Sequence, residues 1–173
     1  MQPTDYETRP ALFCDLDGTL RRHHVNLPVE QELYEGVEET LSRWHEAGYL
    51  VFVITNQGAV AHGNKTVESL QDEFKAFLEL FDDSSIIESI VWTGTHPHGH
   101  VPPYGRRSML HKPHTGMITV AENEAIEQGY ILDYERSLFV GDQMEDNVCA
   151  EKADIPFIYA TDFRDGEDYG YLD

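Results

Sequence analysis

The sequence predicts an α/β fold with a doubly wound parallel sheet. Short apolar runs of strand length alternate along the chain with segments whose apolar residues recur at helical spacing. Such alternation is typical of parallel sheets covered by helices on both faces, joined by right-handed crossovers. Ligands of these Rossmann-like sheets bind beyond the carboxyl ends of the strands, so we expect the chemically active side chains to follow the strands directly.

Five apolar runs are predicted as strands. Their β-branched and aromatic residues favour extended structure, and their continuous apolar character indicates burial on both faces. The runs cover residues 10–15, 49–55, 86–93, 137–141 and 156–160.

Four segments between these runs are predicted as helices. Apolar residues at helical intervals, with a proline or a threonine near the start, support each of the first two. The helices are expected after Pro28 (with Leu33, Val37, Leu41 and Trp44 on the apolar face), after Thr66, from Thr115 to about Gly129, and from about Gln143 to Lys152.

Length and composition favour one globular domain over residues 1–173. The chain is 40% hydrophobic and 11% aromatic, which excludes a disordered protein. No apolar run approaches the roughly 18 residues that span a membrane, and no secretory signal pattern opens the chain. Cys14 and Cys149 form no Cys-x-x-Cys pair, so we expect free thiols and a cytoplasmic protein.

The charge is strongly acidic. The chain carries 32 aspartates and glutamates against 12 lysines and arginines, a net charge of −20. Such a field repels a phosphate backbone, so extended DNA or RNA is a poor default partner.

Polar residues follow three of the predicted strands. Asp15 and Asp17 follow the first strand, Thr55 and Asn56 end and follow the second, and Asp142 follows the fourth. Two buried carboxylates side by side are costly unless a cation lies between them. Carboxylates from different strands suit Mg²⁺, which accepts a few protein oxygens together with water and substrate phosphate.

Phosphoryl transfer is the chemistry that this set of residues favours. One carboxylate of the pair can attack phosphorus, and the other can protonate the leaving oxygen and later activate water. Thr55 and Asn56 would donate hydrogen bonds to the phosphoryl oxygens, and Lys112 would offset their charge in the transition state.

Four motifs in order resemble those of the haloacid dehalogenase (HAD) superfamily of phosphatases: "DLDGT", "ITNQ", "HKPHTGM" and "VGDQMEDN". The resemblance implies the HAD-like hydrolase fold, with Asp15 as the nucleophile and Asp17 as the general acid and base. It also implies phosphate binding by Thr55, Asn56 and Lys112.

The same resemblance implies a Mg²⁺ site. Its protein ligands would be Asp15, the backbone carbonyl of Asp17, and Asp142. Asp146 would orient these groups without binding the metal. Because phosphatases of the superfamily carry an acid two residues after the nucleophile, Asp17 favours phosphomonoester hydrolysis.

The short segments between motifs leave no room for a cap domain. A flap of about residues 19–28 follows the first motif, and a histidine-rich loop of about residues 94–111 precedes Lys112. The enzyme is therefore expected to be capless, with loops that select the substrate.

Within the superfamily, the "TNQ" and "KPHTGM" motifs are similar to two groups. One contains heptose bisphosphate and histidinol phosphatases, and the other contains polynucleotide 3′-phosphatase domains. The leading hypothesis is a small phosphorylated metabolite as substrate: a sugar phosphate, histidinol phosphate or nucleotide. The alternative is a nucleic-acid 3′ end, and a second alternative is a non-catalytic phosphate-binding module.

The histidine-rich loop is where heptose bisphosphate phosphatases hold a structural zinc with three cysteines and a histidine. This loop has no cysteine, but His96, His98 and His100 form a His-x-His-x-His run. We expect polar surface histidines here, with Zn²⁺ as the alternative.

Basic side chains in the two loops are candidates for substrate contact, because arginine binds phosphate through paired donors. Surface ion pairs with the surplus acids are the alternative. The candidates are Arg21, Arg22, His23 and His24 in the flap, and Arg106, Arg107 and His111 in the long loop.

Overall fold

In the computed structural model, which describes residues 5–23 and 30–172, five parallel strands form the main sheet. Their order across the sheet is β4-β3-β2-β6-β7, and all neighbours are parallel. The strands are β2 (Ala11–Cys14), β3 (Leu50–Asn56), β4 (Ile87–Thr93), β6 (Leu138–Gly141) and β7 (Phe157–Tyr159). The five predicted strands and the predicted fold class are confirmed.

Helices cover both faces of this sheet. Helices α1 (Val37–Glu46), α2 (Val67–Leu78) and α5 (Ala160–Arg164) pack on one face, and α3 (Gly116–Glu127) and α4 (Met144–Lys152) pack on the other. The alternation of β2 explains this division, since Leu12 and Cys14 enter one core while Ala11 and Phe13 enter the other. Both cysteines are buried free thiols.

Among the described residues, four short elements were not predicted. Strands β1 (Glu7–Arg9) and β5 (Tyr130–Leu132) pair in a separate two-stranded sheet, and α5 follows β7 directly. Strands of three residues and a helix of five are too short for periodicity to identify. A short 3-10 helix, Ser84–Ile86, leads into β4.

The start of the first helix was predicted wrongly. Helix α1 begins only at Val37, and Leu33 lies before it in an isolated antiparallel bridge with Arg21. Pro28, His24 and the flap positions 24–28 lie outside the described residues. The other predicted helices agree, and Thr66 caps α2 by accepting a hydrogen bond from the Ser69 backbone N–H at 3.0 Å. Within the described ranges, no helix combines the length and apolar character needed to cross a membrane.

The strand order places the switch point of the sheet at β2. From this central strand the chain crosses to β3 on one side, and β6 lies on the other. The carboxyl end of β2 is therefore flanked by the loops that follow β3 and β6, which is where ligands bind in such sheets.

Candidate active site

Asp15 lies immediately beyond β2, at the floor of a cleft of about 300 Å³. Its backbone N–H donates to the Val140 carbonyl of the neighbouring strand at 2.9 Å, so the sheet itself fixes its position. Its carboxylate is almost fully buried, and the Nζ of Lys112 donates to Oδ1 at 2.7 Å. The fold thus brings together two residues that lie 97 positions apart in the sequence.

Lys112 is held by three acceptors and is 3% exposed. Besides Asp15, its Nζ donates to Asp146 Oδ1 at 2.6 Å and to the Ile54 carbonyl at 2.9 Å. Its backbone is fixed as well, because Asn56 accepts from the Lys112 N–H at 2.9 Å and donates to the Lys112 carbonyl at 3.1 Å. The Asn56 amide, predicted to contact phosphate, thus holds the lysine loop in this structure.

Burial and charge act against each other at this pair. Burial raises the pKa of Asp15 to about 7; the Lys112 ammonium opposes that rise, while the carboxylates of Asp146 and Asp142 add to it. For Lys112, burial alone would lower the pKa, but Asp15 and Asp146 raise it above the usual value for lysine. Lys112 is therefore charged, and Asp15 needs more positive charge nearby to be ionised fully at neutral pH.

Three aspartates at the strand ends could hold a metal ion. Asp15, Asp142 and Asp146 offer carboxylate oxygens that lie within 4.8 Å of one another. Asp142 Oδ1 is buried and has no hydrogen-bond partner, which is costly for a carboxylate oxygen unless a cation binds it. The donor set therefore fits a hard divalent cation that takes oxygen ligands.

The two remaining acids of the cluster differ in how their oxygens are used. Asp142 Oδ2 accepts from the Gln143 amide at 2.9 Å and lies 3.3 Å from His23 Nε2, which leaves Oδ1 for a cation. Asp146 bonds Lys112 through Oδ1 and accepts the Gln143 backbone N–H through Oδ2 at 3.1 Å. Both oxygens of Asp146 are therefore engaged, one by Lys112 and one by the Gln143 backbone, and its role as an orienting group stays a prediction.

Two glycines allow the aspartates of this cluster to approach one another closely. A Cβ on Gly18, whose φ is +81°, would lie 2.2 Å from Asp142 Oδ2 and 2.2 Å from His23 Nε2. A Cβ on Gly141 would lie 2.5 Å from the Asp146 Cβ. Side chains at either position would push an acid out of the cluster.

Asp17 sits on the other side of the cleft, with both oxygens bound by side-chain donors. Arg21 Nε donates to Oδ1 at 2.7 Å, and Gln57 Nε2 donates to Oδ2 at 2.9 Å. Gln57 Nε2 also lies 2.9 Å from Thr55 Oγ1, which ties the predicted phosphate-binding hydroxyl to the same cluster. Burial alone would raise the pKa of Asp17, but the hydrogen bonds and charge of Arg21 outweigh it and lower the pKa.

Arg21 was a candidate for substrate contact, and the structure contradicts that placement. Its side chain is fully buried, and it bridges Asp17 to Glu73 on α2. The turn after β2 brings it there, because the Arg21 N–H bonds the Leu16 carbonyl at 3.1 Å and its side chain returns over Asp17. A buried guanidinium with protein partners cannot meet a ligand in the cleft.

The other basic candidates differ in whether their side chains line the cleft. Among the described residues, those that line it are Asp15, Asp17, His23, Thr55, Asn56, Gly58, His96, His111, Lys112, Gln143, Glu145 and Asp146. Of the loop candidates, His23 and His111 belong to this set, and Arg22, Arg106 and Arg107 do not. Arg106 and Arg107 are exposed outside it, and Arg22 lies 3.5 Å from Glu32 and stacks over the Tyr34 ring.

The histidine-rich loop is closed by backbone hydrogen bonds. The N–H groups of His100 and Val101 both donate to the Ala61 carbonyl, and the His96 N–H donates to the Tyr104 carbonyl. The rings of His96 and His98 lie 5.7 Å apart. Across the described part of the chain, the only group with metal-ligand spacing is the aspartate cluster, so the zinc alternative at His96, His98 and His100 is not supported.

Two buried polar residues of the site were missed. Gln57 was visible as the last residue of "TNQ", but its link between Asp17 and Thr55 depends on a tertiary contact. Glu73 can be recognised in the sequence as a charged residue within the apolar face of α2, between Leu70 and Phe77. Such a position predicts a buried ion pair.

Comparison with known proteins agrees with this fold. The profile of the family described as polynucleotide kinase 3 phosphatase matches residues 11–165. A D-glycero-D-manno-heptose-1,7-bisphosphate 7-phosphatase of Chlorobaculum tepidum is 29% identical over 156 residues, covering 88% of this chain and 78% of the relative. A D-glycero-β-D-manno-heptose-1,7-bisphosphate 7-phosphatase of Rhodopseudomonas palustris is 30% identical over 151 residues, covering 86% and 81%.

Solved structures show the same fold. A HAD-like phosphatase of Mesorhizobium loti superposes with a TM-score of 0.75 at 27% identity, covering 86% of this chain and 70% of that chain. The D,D-heptose 1,7-bisphosphate phosphatase of B. bronchiseptica, solved with magnesium and phosphate, superposes with a TM-score of 0.67 at 20% identity, covering 87% and 78%.

The fold and these likenesses define a phosphatase of the HAD superfamily. Since the profile match covers most of its length, the chain belongs to the polynucleotide kinase 3 phosphatase family. The names of the family and of the relatives indicate different substrates, a nucleic-acid 3′ end and a sugar bisphosphate.

Proposed function

We propose that the protein is a Mg²⁺-dependent phosphomonoesterase that forms an aspartyl-phosphate on Asp15 and acts on a small phosphorylated metabolite. The observation that supports it most is the buried contact of Asp15 with Lys112 beside the unpartnered Asp142 Oδ1. Such a site holds a carboxylate, a cationic partner and an unpartnered carboxylate oxygen where one phosphoryl group would bind.

In the first half of the reaction, an Asp15 carboxylate oxygen attacks phosphorus as the bond to the ester oxygen breaks. Asp17 gives a proton to the departing oxygen, so that an alcohol leaves. Lys112 stabilises the charge on the phosphoryl oxygens, with Thr55 as a hydrogen-bond donor. Mg²⁺, held by Asp15, Asp142 and the Asp17 carbonyl, would supply further positive charge to the phosphoryl group.

In the second half, Asp17 has become a carboxylate and takes a proton from water. The water oxygen attacks the phosphorus of the aspartyl-phosphate, the bond to Asp15 breaks, and inorganic phosphate leaves. Arg21 and Gln57 each donate a hydrogen bond to one oxygen of the Asp17 carboxylate, and these two contacts favour its basic state.

The charge of the cleft favours a small monoester. Its lining includes Lys112 and three histidines but, among the described residues, no arginine, and Glu145 adds a negative charge. Lys112 is already neutralised by two carboxylates. A second phosphate on the substrate would therefore find little positive charge here, unlike the single phosphoryl group that the catalytic residues receive.

A nucleic-acid 3′ end is the second candidate, and the matching family profile supports it. The net charge of −20 opposes binding of a long strand. A short 3′-phosphorylated oligonucleotide therefore belongs among the test substrates.

The test is phosphate release with Mg²⁺ from sugar mono- and bisphosphates, histidinol phosphate, nucleotides and that oligonucleotide. We expect release from small monoesters, loss of release with EDTA, and loss with Asp15→Asn. Asp72→Asn, an exposed change of the same kind on α2, is the matched control and should keep full activity. Preference for the oligonucleotide would establish the second candidate, and activity that survives in Asp15→Asn would refute the nucleophile assignment.

A further inference from the structure

We propose that Arg21 is a positioning residue that sets the Asp17 carboxylate for proton transfer, through a buried ion network anchored on α2. This inference rests on the proposed function, since it concerns the acid of that reaction. It assigns Arg21 a role in the chemistry in place of the substrate contact that its sequence position indicated.

The contact between Arg21 and Asp17 is built into the local backbone. Residues 16–21 form a tight turn in which the N–H groups of Leu20 and Arg21 both donate to the Leu16 carbonyl. The Gly18 N–H donates to the Arg21 carbonyl at 2.8 Å, which closes the turn. The Arg21 side chain, four residues after Asp17, then returns to place Nε 2.7 Å from Oδ1.

The far side of the guanidinium is anchored away from the cleft. One terminal nitrogen donates to Gln31 Oε1 at 2.7 Å, and the other lies 3.4 Å from Glu73 Oε2. Gln31 donates in turn to the Glu73 carbonyl at 2.9 Å, and Lys65 Nζ lies 2.9 Å from the Glu73 carboxylate. Arg21 is thus fixed at both ends and cannot move without breaking a buried network.

The arrangement orients the Asp17 carboxylate toward the cleft. The Asp17 side chain is 31% exposed at the cleft, whereas Arg21 behind it is 0% exposed. Arg21 takes one carboxylate oxygen and Gln57 takes the other, so two donors from different segments fix the carboxylate plane. Burying a guanidinium only to support a half-exposed surface acid would be a costly arrangement, whereas orienting a catalytic acid accounts for it.

The test compares leaving groups. An alkoxide needs a proton to leave, whereas p-nitrophenolate leaves without one, so misplacing the acid should slow aspartyl-phosphate formation only from alkyl esters. The comparison uses kcat/KM, which covers the steps up to release of the alcohol and excludes the later hydrolysis, in which Asp17 is the base for both substrates. For Arg21→Lys, which keeps the charge but loses the paired geometry, we expect kcat/KM on glycerol phosphate to fall by about 100-fold. On p-nitrophenyl phosphate we expect kcat/KM to fall by less than roughly threefold, since proton transfer contributes little to that step.

A second variant separates positioning from folding. Glu73→Gln leaves the Arg21–Asp17 contact in place but loosens its anchor, so it should show the same selective loss on glycerol phosphate, at roughly tenfold. Arg43→Met, which removes an arginine paired with Asp168 far from the cleft, is the control and should change neither substrate. Thermal melts of every variant establish that the folded fraction is unchanged.

Equal losses on both esters in Arg21→Lys, or no loss on either, would overturn the proposal. If Arg21→Lys does not fold, Glu73→Gln decides the same question, and its equal or absent effect would also overturn it. The proposed function fails differently, since activity in Asp15→Asn or none in the wild type would refute it whatever the ester ratio.

Discussion

The two sides of the cleft have the same plan and opposite electrostatics. On each side a buried cation bridges a cleft-facing aspartate to a second acid: Lys112 joins Asp15 to Asp146, and Arg21 joins Asp17 to Glu73. Yet the pKa of Asp15 is raised to about 7, and the pKa of Asp17 is lowered.

The opposite pKa shifts of Asp15 and Asp17 come from the groups that surround each aspartate and its cation. Asp15 is more deeply buried, and Asp142 adds a third negative charge beside it. Asp17 is closer to solvent, and the hydrogen bond from the Gln57 amide and the positive charge of Lys65 help to lower its pKa. The Asp15 side is therefore short of positive charge, as a site that binds a divalent cation should be, whereas the Asp17 side is balanced within the protein.

The largest effect should come from removing the Lys112 charge. Lys112→Met leaves two buried carboxylates without their cation, so we expect the free energy of unfolding to fall by about 3 kcal/mol. Turnover should fall by at least roughly 100-fold, because the transition-state charge loses a preorganised partner. Denaturant titrations and phosphate release measure the two effects.

Lys75→Met, on the exposed face of α2, is the matched control and should change neither quantity. The double variant Lys112→Met with Asp146→Asn removes one of the stranded charges. It should regain part of the lost stability and none of the turnover, and recovery of turnover would contradict the role given to Lys112.

The two aspartates should change the pH dependence of stability in opposite directions. Because the folded pKa of Asp15 lies above its unfolded value, the unfolded state loses this proton first and stability falls as pH rises from about 4 to about 7. Asp17 has a depressed folded pKa, so its contribution is present above its unfolded pKa and is lost as pH falls through the folded one.

In metal-free buffer at pH 8, Asp15→Asn should therefore stabilise the protein, by on the order of 2 kcal/mol. Asp17→Asn should destabilise it, by a smaller amount because the side chain is 31% exposed. Urea titrations with EDTA from about pH 2 to about pH 8 measure both slopes, because the Asp17 slope lies below its unfolded pKa of about 4 and the Asp15 slope above it. Shifts of the same sign in the two variants would show that the electrostatic contrast between the sides is wrong.

A smaller effect on stability should follow from adding a methyl group beside the aspartate cluster of Asp15, Asp142 and Asp146. Gly18→Ala places a methyl group against Asp142 and His23 at a positive φ, so we expect a loss of about 1–2 kcal/mol together with weakened Mg²⁺ dependence. Gly129→Ala is the control, because Gly129 has a φ of +91° but no atom within 4 Å of the added Cβ. Equal effects in both would show that backbone strain alone is responsible. Melting curves and Mg²⁺ titrations of activity distinguish the two.

The sequence predicted the sheet and the residues at its carboxyl edge well because these depend on local patterns. Buried strands are continuous apolar runs, and the residues directly after them are held by the sheet, so Asp15 and Asp142 could be expected together. The start of α1 was placed too early because the apolar period continues through Leu33, which instead pairs with Arg21. Periodicity does not distinguish a helix turn from an extended segment packed on the same core.

The buried network behind Asp17 could not be predicted from local patterns. Arginine in a polar segment suggests a surface residue, and only the tertiary approach of α2 provides the acid that makes its burial tolerable. Glu73 lies 52 positions after Arg21, and no spacing rule connects them. Likewise, the Asn56 amide could donate a hydrogen bond to phosphate, but in the structure it is hydrogen-bonded to the Lys112 backbone.

The smallest effect is expected at the histidine-rich loop, where the comparison between the sides does not apply. Backbone hydrogen bonds to Ala61 and within the loop already close it, so His98→Ala and His100→Ala should change the free energy of unfolding by less than about 0.5 kcal/mol. Adding Zn²⁺ to the metal-free protein should raise the melting temperature of these variants as much as that of the wild type. A Zn²⁺-dependent rise that disappears in His98→Ala would revive the zinc alternative and separate this loop from the aspartate cluster as a second metal site.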